Sequence, residues 1–195
     1  MNREGQLGNG VSGIGSRKLT PVFVLRGEQP EDPCNPDPNL TSIVAVSAGA
    51  DHSMALEKLD PDDPNLNGFV YTWGANKWPG DGEGYTSGRG KLGNGTVVDL
   101  SETAVQVLRG EQDYNEPNHV YLKAIVAISA GWNHCMALEK YEVYDSYLDA
   151  TDPNYTGPDP NHKGRVYIWG DNGQGWAYGW KKSVFDEFFV GLGGG

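Results

Sequence analysis

A chain that repeats itself must fold as similar units that pack on one another, and internal recurrence decides the architecture here before any local propensity does. Gly5-Gln6-Leu7-Gly8-Asn9-Gly10 returns as Gly90-Lys91-Leu92-Gly93-Asn94-Gly95, and VLRGEQ at 24–29 returns letter for letter at 107–112. The longest match sets IVAVSAGADHSMALEK (43–58) against IVAISAGWNHCMALEK (125–140), with twelve of sixteen positions identical. Phe69-Val70-Tyr71-Thr72-Trp73-Gly74-Ala75-Asn76 then answers to Arg165-Val166-Tyr167-Ile168-Trp169-Gly170-Asp171-Asn172. His52 to His134 is a step of 82 and Trp73 to Trp169 a step of 96, so the units differ by insertions. A third copy of the first motif begins at Gly191.

Each recurring block is short, rich in Val, Ile and Tyr, and bounded by Gly, Asn or Asp, which is the pattern of a β-strand. The predicted strands are Ile43–Ser47, His52–Glu57, Phe69–Trp73 and Ala104–Leu108, then Ile125–Ser129, His134–Glu139 and Arg165–Trp169. Ser-Ala-Gly-x-x-His reads as a tight turn in which Gly49 and Gly131 take the positive φ that other residues resist. Repeated four-stranded antiparallel units without helices predict an all-β fold of propeller blades, each covering its neighbour's faces.

These residues resemble the regulator-of-chromosome-condensation repeat family, whose members are typically seven-bladed propellers. The family signature is an aliphatic residue, two small residues, Gly, any two, His, a small residue, an aliphatic, any, an aliphatic. Val46 to Leu56 fit it throughout, and Ile128 to Leu138 depart only at Cys135, a small packing hydrophobe. The V-Y-x-W-G and G-x-L-G-N-G elements follow in the family's order. The resemblance covers about half of the residues, and makes Gly49, His52, Trp73, Gly74, Gly131, His134, Trp169 and Gly170 structural motif residues.

Two repeat periods cannot close a ring of about seven blades. The chain therefore reads as a partial β-propeller over 1–195: residues 1–28 end one blade, 43–108 make a complete blade, 124–170 supply three strands of the next, and 171–195 hold an insertion and the start of a further repeat. Pro21–Leu25 is expected to be a fourth strand lacking the three before it. The remaining blades are expected from the same longer chain; the alternative is self-association, each subunit lending its amino-terminal strand to a neighbour.

Chemistry is sparse. Fifteen Lys and Arg against 26 Asp and Glu give a formal charge of −11, which opposes binding to nucleic acid or to an anionic membrane. No apolar run is long enough for membrane insertion. Cys34 and Cys135 suggest neither a disulfide framework nor a zinc site, and no phosphate loop or nucleophile elbow appears. His52 and His134 lie a blade apart at one recurring position, which favours a role in the core over catalysis or metal binding. No catalytic residue, metal or cofactor is expected, and the protein is not read as an enzyme.

The insertions repeat Asp-Pro-Asn at 37–39, 63–65, 152–154 and 159–161, with Glu116-Pro117-Asn118 as a variant. Asp63-x-Asn65-x-Asn67-Gly68 imitates half a calcium loop, but its twelfth position is Gly74 instead of Glu, so a turn is the preferred reading. Trp176, Tyr178 and Trp180 alternate at strand spacing, and Tyr144 lies in another insertion; these four are the candidate partner-binding rings. The function expected is a non-catalytic binding or scaffold module presenting insertion loops to a protein or glycan. The resemblance implies an alternative, a guanine-nucleotide exchange factor-like propeller acting on a small GTPase, since the family includes such an exchange factor; it also includes ubiquitin-ligase modules, a plant photoreceptor and a bacterial β-lactamase inhibitor, so the fold does not fix function. The acidic, Asp/Pro/Asn-rich insertions favour an extracellular or cell-surface location.

Overall fold

The computed structural model describes residues 2–31, 36–59, 67–77, 90–112, 120–141 and 164–171. They form an all-β structure of two antiparallel sheets. In the first, β1 (Ile43–Ala48), β2 (His52–Glu57), β3 (Val70–Ala75) and β4 (Leu100–Gln106) lie in that order, and in the second β5 (Ile125–Ala130), β6 (His134–Glu139) and β7 (Val166–Gly170) do the same. The registers repeat: Val46 faces Ala55 as Ile128 faces Ala137, and His52 faces Gly74 as His134 faces Gly170. Even the irregularity after the first residue of β1 recurs in β5. Identical sequence has produced identical local geometry.

The sheets stack face to face. Met54, Leu56 and Val70 of the first pack against Ile125, Cys135 and Ala137 of the second, with Val107 and Leu122 from the connection between them. Burying each of the larger aliphatic side chains contributes on the order of 1.5–3 kcal/mol. A second cluster covers the opposite face of the first sheet, where Ala55, Tyr71, Trp73 and Ala104 meet Val24, Leu40 and Phe69. Each sheet is thus covered on one side by the segment belonging to the preceding repeat.

Three details differ from the sequence reading. Strand β4 begins at Leu100 instead of Ala104, because Leu100 and Ser101 pair with Ala75 and Gly74 although Ser-Glu-Thr lacks an apolar alternation. Among the described residues Pro21–Leu25 joins no ladder, and its bridge is that between Leu25 and Asn39, repeated as Leu108 with Tyr121. Gly49 and Gly131 do not have positive φ. Glycine is required there by proximity: a Cβ on Gly49 would lie 2.2 Å from His52 Cε1 and 2.6 Å from the Gly131 carbonyl oxygen, and one on Gly131 would lie 2.3 Å from His134 Cε1. The histidine ring lies on the bare backbone of its own turn, closed by hydrogen bonds from Gly49 N to His52 O and from Gly131 N to His134 O.

Gly49→Ala is therefore expected to destabilise the fold by about 2–3 kcal/mol through overpacking, measured by urea denaturation. Adding His52→Ala should restore only part of that loss relative to His52→Ala alone, because the Gly131 carbonyl still obstructs the new methyl group. Full recovery in the double variant would show that the ring alone sets the requirement.

Candidate functional site

The recurring residues hold the sheets together. Trp73 Nε1 donates to the Gln6 carbonyl at 2.8 Å, and Trp169 Nε1 to the Lys91 carbonyl at 3.0 Å. Each acceptor lies in the G-x-L-G-N-G loop of the preceding repeat, and Gly8 and Gly93, at φ +64° and +63°, leave space for the indole where a Cβ would come within 2.9 and 2.7 Å of Nε1. Asn76, completely buried, shapes that loop: its Oδ1 accepts from the Gly90 and Leu92 amides, and its Nδ2 donates to the Thr96 and Val98 carbonyls. Gly74 and Gly170 let the Asp51 and Asn133 carbonyls approach, which then accept from Ala75 N and Asp171 N. The final residue of VLRGEQ docks on the next connection, where Gln29 exchanges two hydrogen bonds with the Thr41 backbone and Gln112 does the same with Lys123. Each glutamine amide also donates to a buried carboxylate, Glu57 or Glu139, which accepts in addition from the Tyr71 or Tyr167 hydroxyl. Burial pushes the Glu57 carboxyl up against the pull of these hydrogen bonds, and pushes both tyrosines up as well.

At the end of the stack where the His turns lie, the second repeat departs from the first. Lys91 stands where the first copy has Gln6, Trp132 where it has Ala50, Asn133 for Asp51, Cys135 for Ser53 and Asp171 for Ala75. Of the four differences in the sixteen-residue block, three fall here, so the variation between copies is concentrated at one place. Lys91 is completely buried, with Nζ 3.4 Å from Asn133 Oδ1. Burial holds its ammonium below the usual lysine range, while the charges of Asp51, Asp171 and Glu4 act in the opposite direction. Trp132, by contrast, is 66% exposed. Trp132 immediately precedes Asn133, the residue whose side chain meets the buried Lys91 ammonium.

Beneath it, His52 Nε2 lies 3.1 Å from Cys135 Sγ, across the seam between the sheets. The distance is that of a Cys–His nucleophile pair, but the electrostatics are not. Burial, then the Lys91 charge, then His134 bring the His52 pKa down to about 4, and burial pushes Cys135 up to about 12. Cys135 Sγ points its proton at the Lys91 carbonyl at 3.5 Å, so the network assigns the Nε2 proton to His52, donated to sulfur. His52 Nδ1 is then a buried acceptor without a hydrogen-bond partner among the described residues. The pair is neutral and packs the seam; His134 is only partly buried.

Trp176, Tyr178, Trp180 and Tyr144, the rings singled out in the sequence, lie outside the described residues, as do Cys34 and the Asp-Pro-Asn loops other than 37–39. In that loop Asp37 Oδ1 accepts from both the backbone and side-chain amides of Asn39, an Asx turn. Among the described residues no three His, Cys, Asp or Glu side chains converge as metal ligands would. Trp132 and Lys91 were hidden by the repeat itself, because both occupy positions that the signature leaves free. The signal that could have found them is the difference between the two copies.

Stacked antiparallel sheets, each latched by the loop of the repeat before it, define a β-propeller architecture. Residues 1–56 match the model of the regulator of chromosome condensation (RCC1) repeat, so that stretch is similar to an RCC1 repeat. No curated protein matches the chain. Among solved structures it is similar to Prp20p from Saccharomyces cerevisiae, a protein with binding properties toward Gsp1p and histones, at 19% identity and a TM-score of 0.28. That alignment covers 65% of this chain and 25% of Prp20p.

The His52 environment predicts a pH dependence. Its folded pKa, about 4, lies below the ordinary value of 6.5, so between these the unfolded chain binds the extra proton. The contribution to stability is complete above pH 6.5 and is lost as pH falls toward 4, by about 3 kcal/mol over the whole interval. His52→Gln should remove this dependence: the difference in unfolding free energy between wild type and variant, measured by urea titration, should shrink from pH 7 to pH 5 by about 2 kcal/mol. A pH-independent difference would show that His52 is not buried neutral.

Proposed function

We propose that this chain is a non-catalytic binding or scaffold module of a repeat β-propeller, engaging a protein or glycan partner through the face around Trp132. The observation that carries the reading is the exposure of Trp132, next in the chain to the Asn133 that meets Lys91, in the turn where the two repeats diverge. A rigid indole offers a large contact area at low entropic cost, and its flat face suits both a protein pocket and the apolar side of a sugar ring. The neutral, buried state of His52 and Cys135 supports a role in packing over one in catalysis. The insertion loops, with Tyr144, Trp176, Tyr178 and Trp180, belong to the proposal as further partner-binding segments. An extracellular or cell-surface location is part of the proposal, supported by the charge of −11 and the Asp-Pro-Asn insertions. The RCC1 repeat also supports exchange activity on a small GTPase as the alternative.

Screening the wild-type chain and Trp132→Ala against a glycan array and a displayed peptide library tests the reading. Ligands selected by the wild type are expected to bind the variant about 30-fold more weakly, the loss of about 2 kcal/mol typical of an interface anchor, at unchanged thermal stability. Ligands indifferent to Trp132→Ala would overturn it. Accelerated nucleotide release from a small GTPase panel on adding the chain would favour the alternative.

A further inference from the structure

Between the two repeats three groups are exchanged together. The first copy has Gln6, Asp51 and Ala75 where the second has Lys91, Asn133 and Asp171. Of the two, the second copy sets a primary amine against a carboxamide, with a carboxyl group added at the third position. The fold brings these residues from three separate stretches: Lys91 from the G-x-L-G-N-G loop, Asn133 from the turn between β5 and β6, and Asp171 from the residue after β7. Each backbone is held. The Lys91 carbonyl accepts from Trp169 Nε1 at 3.0 Å and from Cys135 Sγ at 3.5 Å, and the Asn133 carbonyl accepts from Asp171 N at 2.9 Å. The Lys91 side chain is completely buried, and its Nζ lies 3.4 Å from Asn133 Oδ1.

That distance is long for an N–H···O hydrogen bond, whose usual range is about 2.7–3.2 Å, but it falls within the roughly 3–3.5 Å at which held groups are set to react. The amide carbon is one bond beyond Oδ1, and it keeps its place whichever way the amide is turned. A lysine becomes a nucleophile when it loses its proton, and desolvation favours that loss. Burial does hold Lys91 below the usual lysine range, in spite of the opposing charges of Asp51, Asp171 and Glu4. Those carboxylates are in turn bases for the proton that the ammonium gives up. In the first copy Gln6 Oε1 instead accepts from the Glu4 amide at 3.1 Å, and its side chain has no nucleophile.

We propose that Lys91 and Asn133 become joined by an intramolecular isopeptide bond, made by the folded chain on itself. The Lys91 ammonium passes a proton to a carboxylate of the Asp51 and Asp171 pair, and the freed lone pair on Nζ forms a bond to Asn133 Cγ while the carbonyl π electrons move onto Oδ1. A second proton passes from the attacking nitrogen to Nδ2. The electron pair on Oδ1 then returns to the carbon, the Cγ–Nδ2 bond breaks, and its electrons leave with ammonia. The ammonia takes up the proton first removed, so the carboxylate is restored and the net products are a secondary amide and an ammonium ion. No oxidant and no cofactor enters the balance. The bond reinforces the place where Trp169 is latched to the Lys91 carbonyl. It also closes a loop with 41 residues between its ends, and such a closure restricts the unfolded chain.

Intact mass spectrometry of the full 195-residue chain tests this. The folded wild type is expected to weigh one ammonia less than its sequence, a deficit of about 17 Da, and to migrate faster than the unlinked variants in a denaturing gel after boiling. Lys91→Arg, which keeps the charge, and Asn133→Ala should each return the sequence mass. Closure of an asparagine to a succinimide loses the same mass, so proteolytic digestion supplies the decisive readout: the peptide holding Lys91 linked through its side chain to the peptide holding Asn133. The double variant Asp51→Asn/Asp171→Ala should slow the appearance of that linked peptide by about 100-fold, the loss expected on removing a positioned proton carrier. A wild-type chain at its full sequence mass, a deficit that persists in Lys91→Arg, or a digest without the linked peptide would overturn the proposal. Formation at an unchanged rate in the double variant would overturn the part given to the carboxylates.

Discussion

The structure depends on one hydrogen bond used twice: the indole N–H of a tryptophan, buried at 73 and partly buried at 169, donated to a backbone carbonyl in the loop of the preceding repeat. A lone blade of short strands has two faces to cover and little area with which to cover them. The tryptophan meets both needs. Its ring fills the space above a glycine that has no side chain, and its one polar atom fixes the distance between successive repeats. Everything else at the seam is set by that spacing, including the contact of Ala130 N with Ser47 Oγ at 2.9 Å and the face-to-face packing of Met54, Leu56 and Val70 on the second sheet. The sheets do not fold and then meet, in energetic terms; the interface is a large share of the core of each.

The architecture was legible because recurrence carries long-range information that a single copy lacks. Six of the seven strand positions could be read to within a residue or two from Val/Ile/Tyr runs bounded by Gly and Asn. The fourth strand could not, since Leu100–Thr103 belong to it through backbone pairing with Gly74 and Ala75 and carry no side-chain pattern. The turn glycines were found for the wrong reason. Positive φ and close approach leave the same letter in a sequence, and only the His52 ring lying against Gly49 distinguishes them. Nor could the sequence show that VLRGEQ is invariant between copies because Gln29 and Gln112 each clasp the backbone of the connection that follows, at Thr41 and Lys123.

The proposed site was less legible than the fold, for the opposite reason. Attention drawn to what two copies share passes over what they do not. Lys91, Trp132, Asn133 and Cys135 each replace a smaller or uncharged group, or an acid, in the first repeat, and the fold gathers them at one end of one seam. Once a repeat has fixed the scaffold, individuality is confined to positions the scaffold does not use. Those positions are scattered along the chain, and their proximity is a property of three-dimensional structure alone.

The insertions show how such a scaffold accommodates change. Leu59 bridges to Asn67, and Gly68 N reaches the Lys58 carbonyl, just as Gly164 N reaches that of Lys140. The inserted stretch is thus cinched at its base before it departs, and the strands on either side keep their register whether 9 residues intervene between Lys58 and Gly68 or 23 between Lys140 and Gly164. The entropic cost of lengthening a closed loop grows only logarithmically, by about 0.6 kcal/mol per doubling. A hairpin pinched in this way is an open socket: whole segments of foreign sequence can be exchanged there, in evolution or in the laboratory, while the blade beneath registers almost nothing.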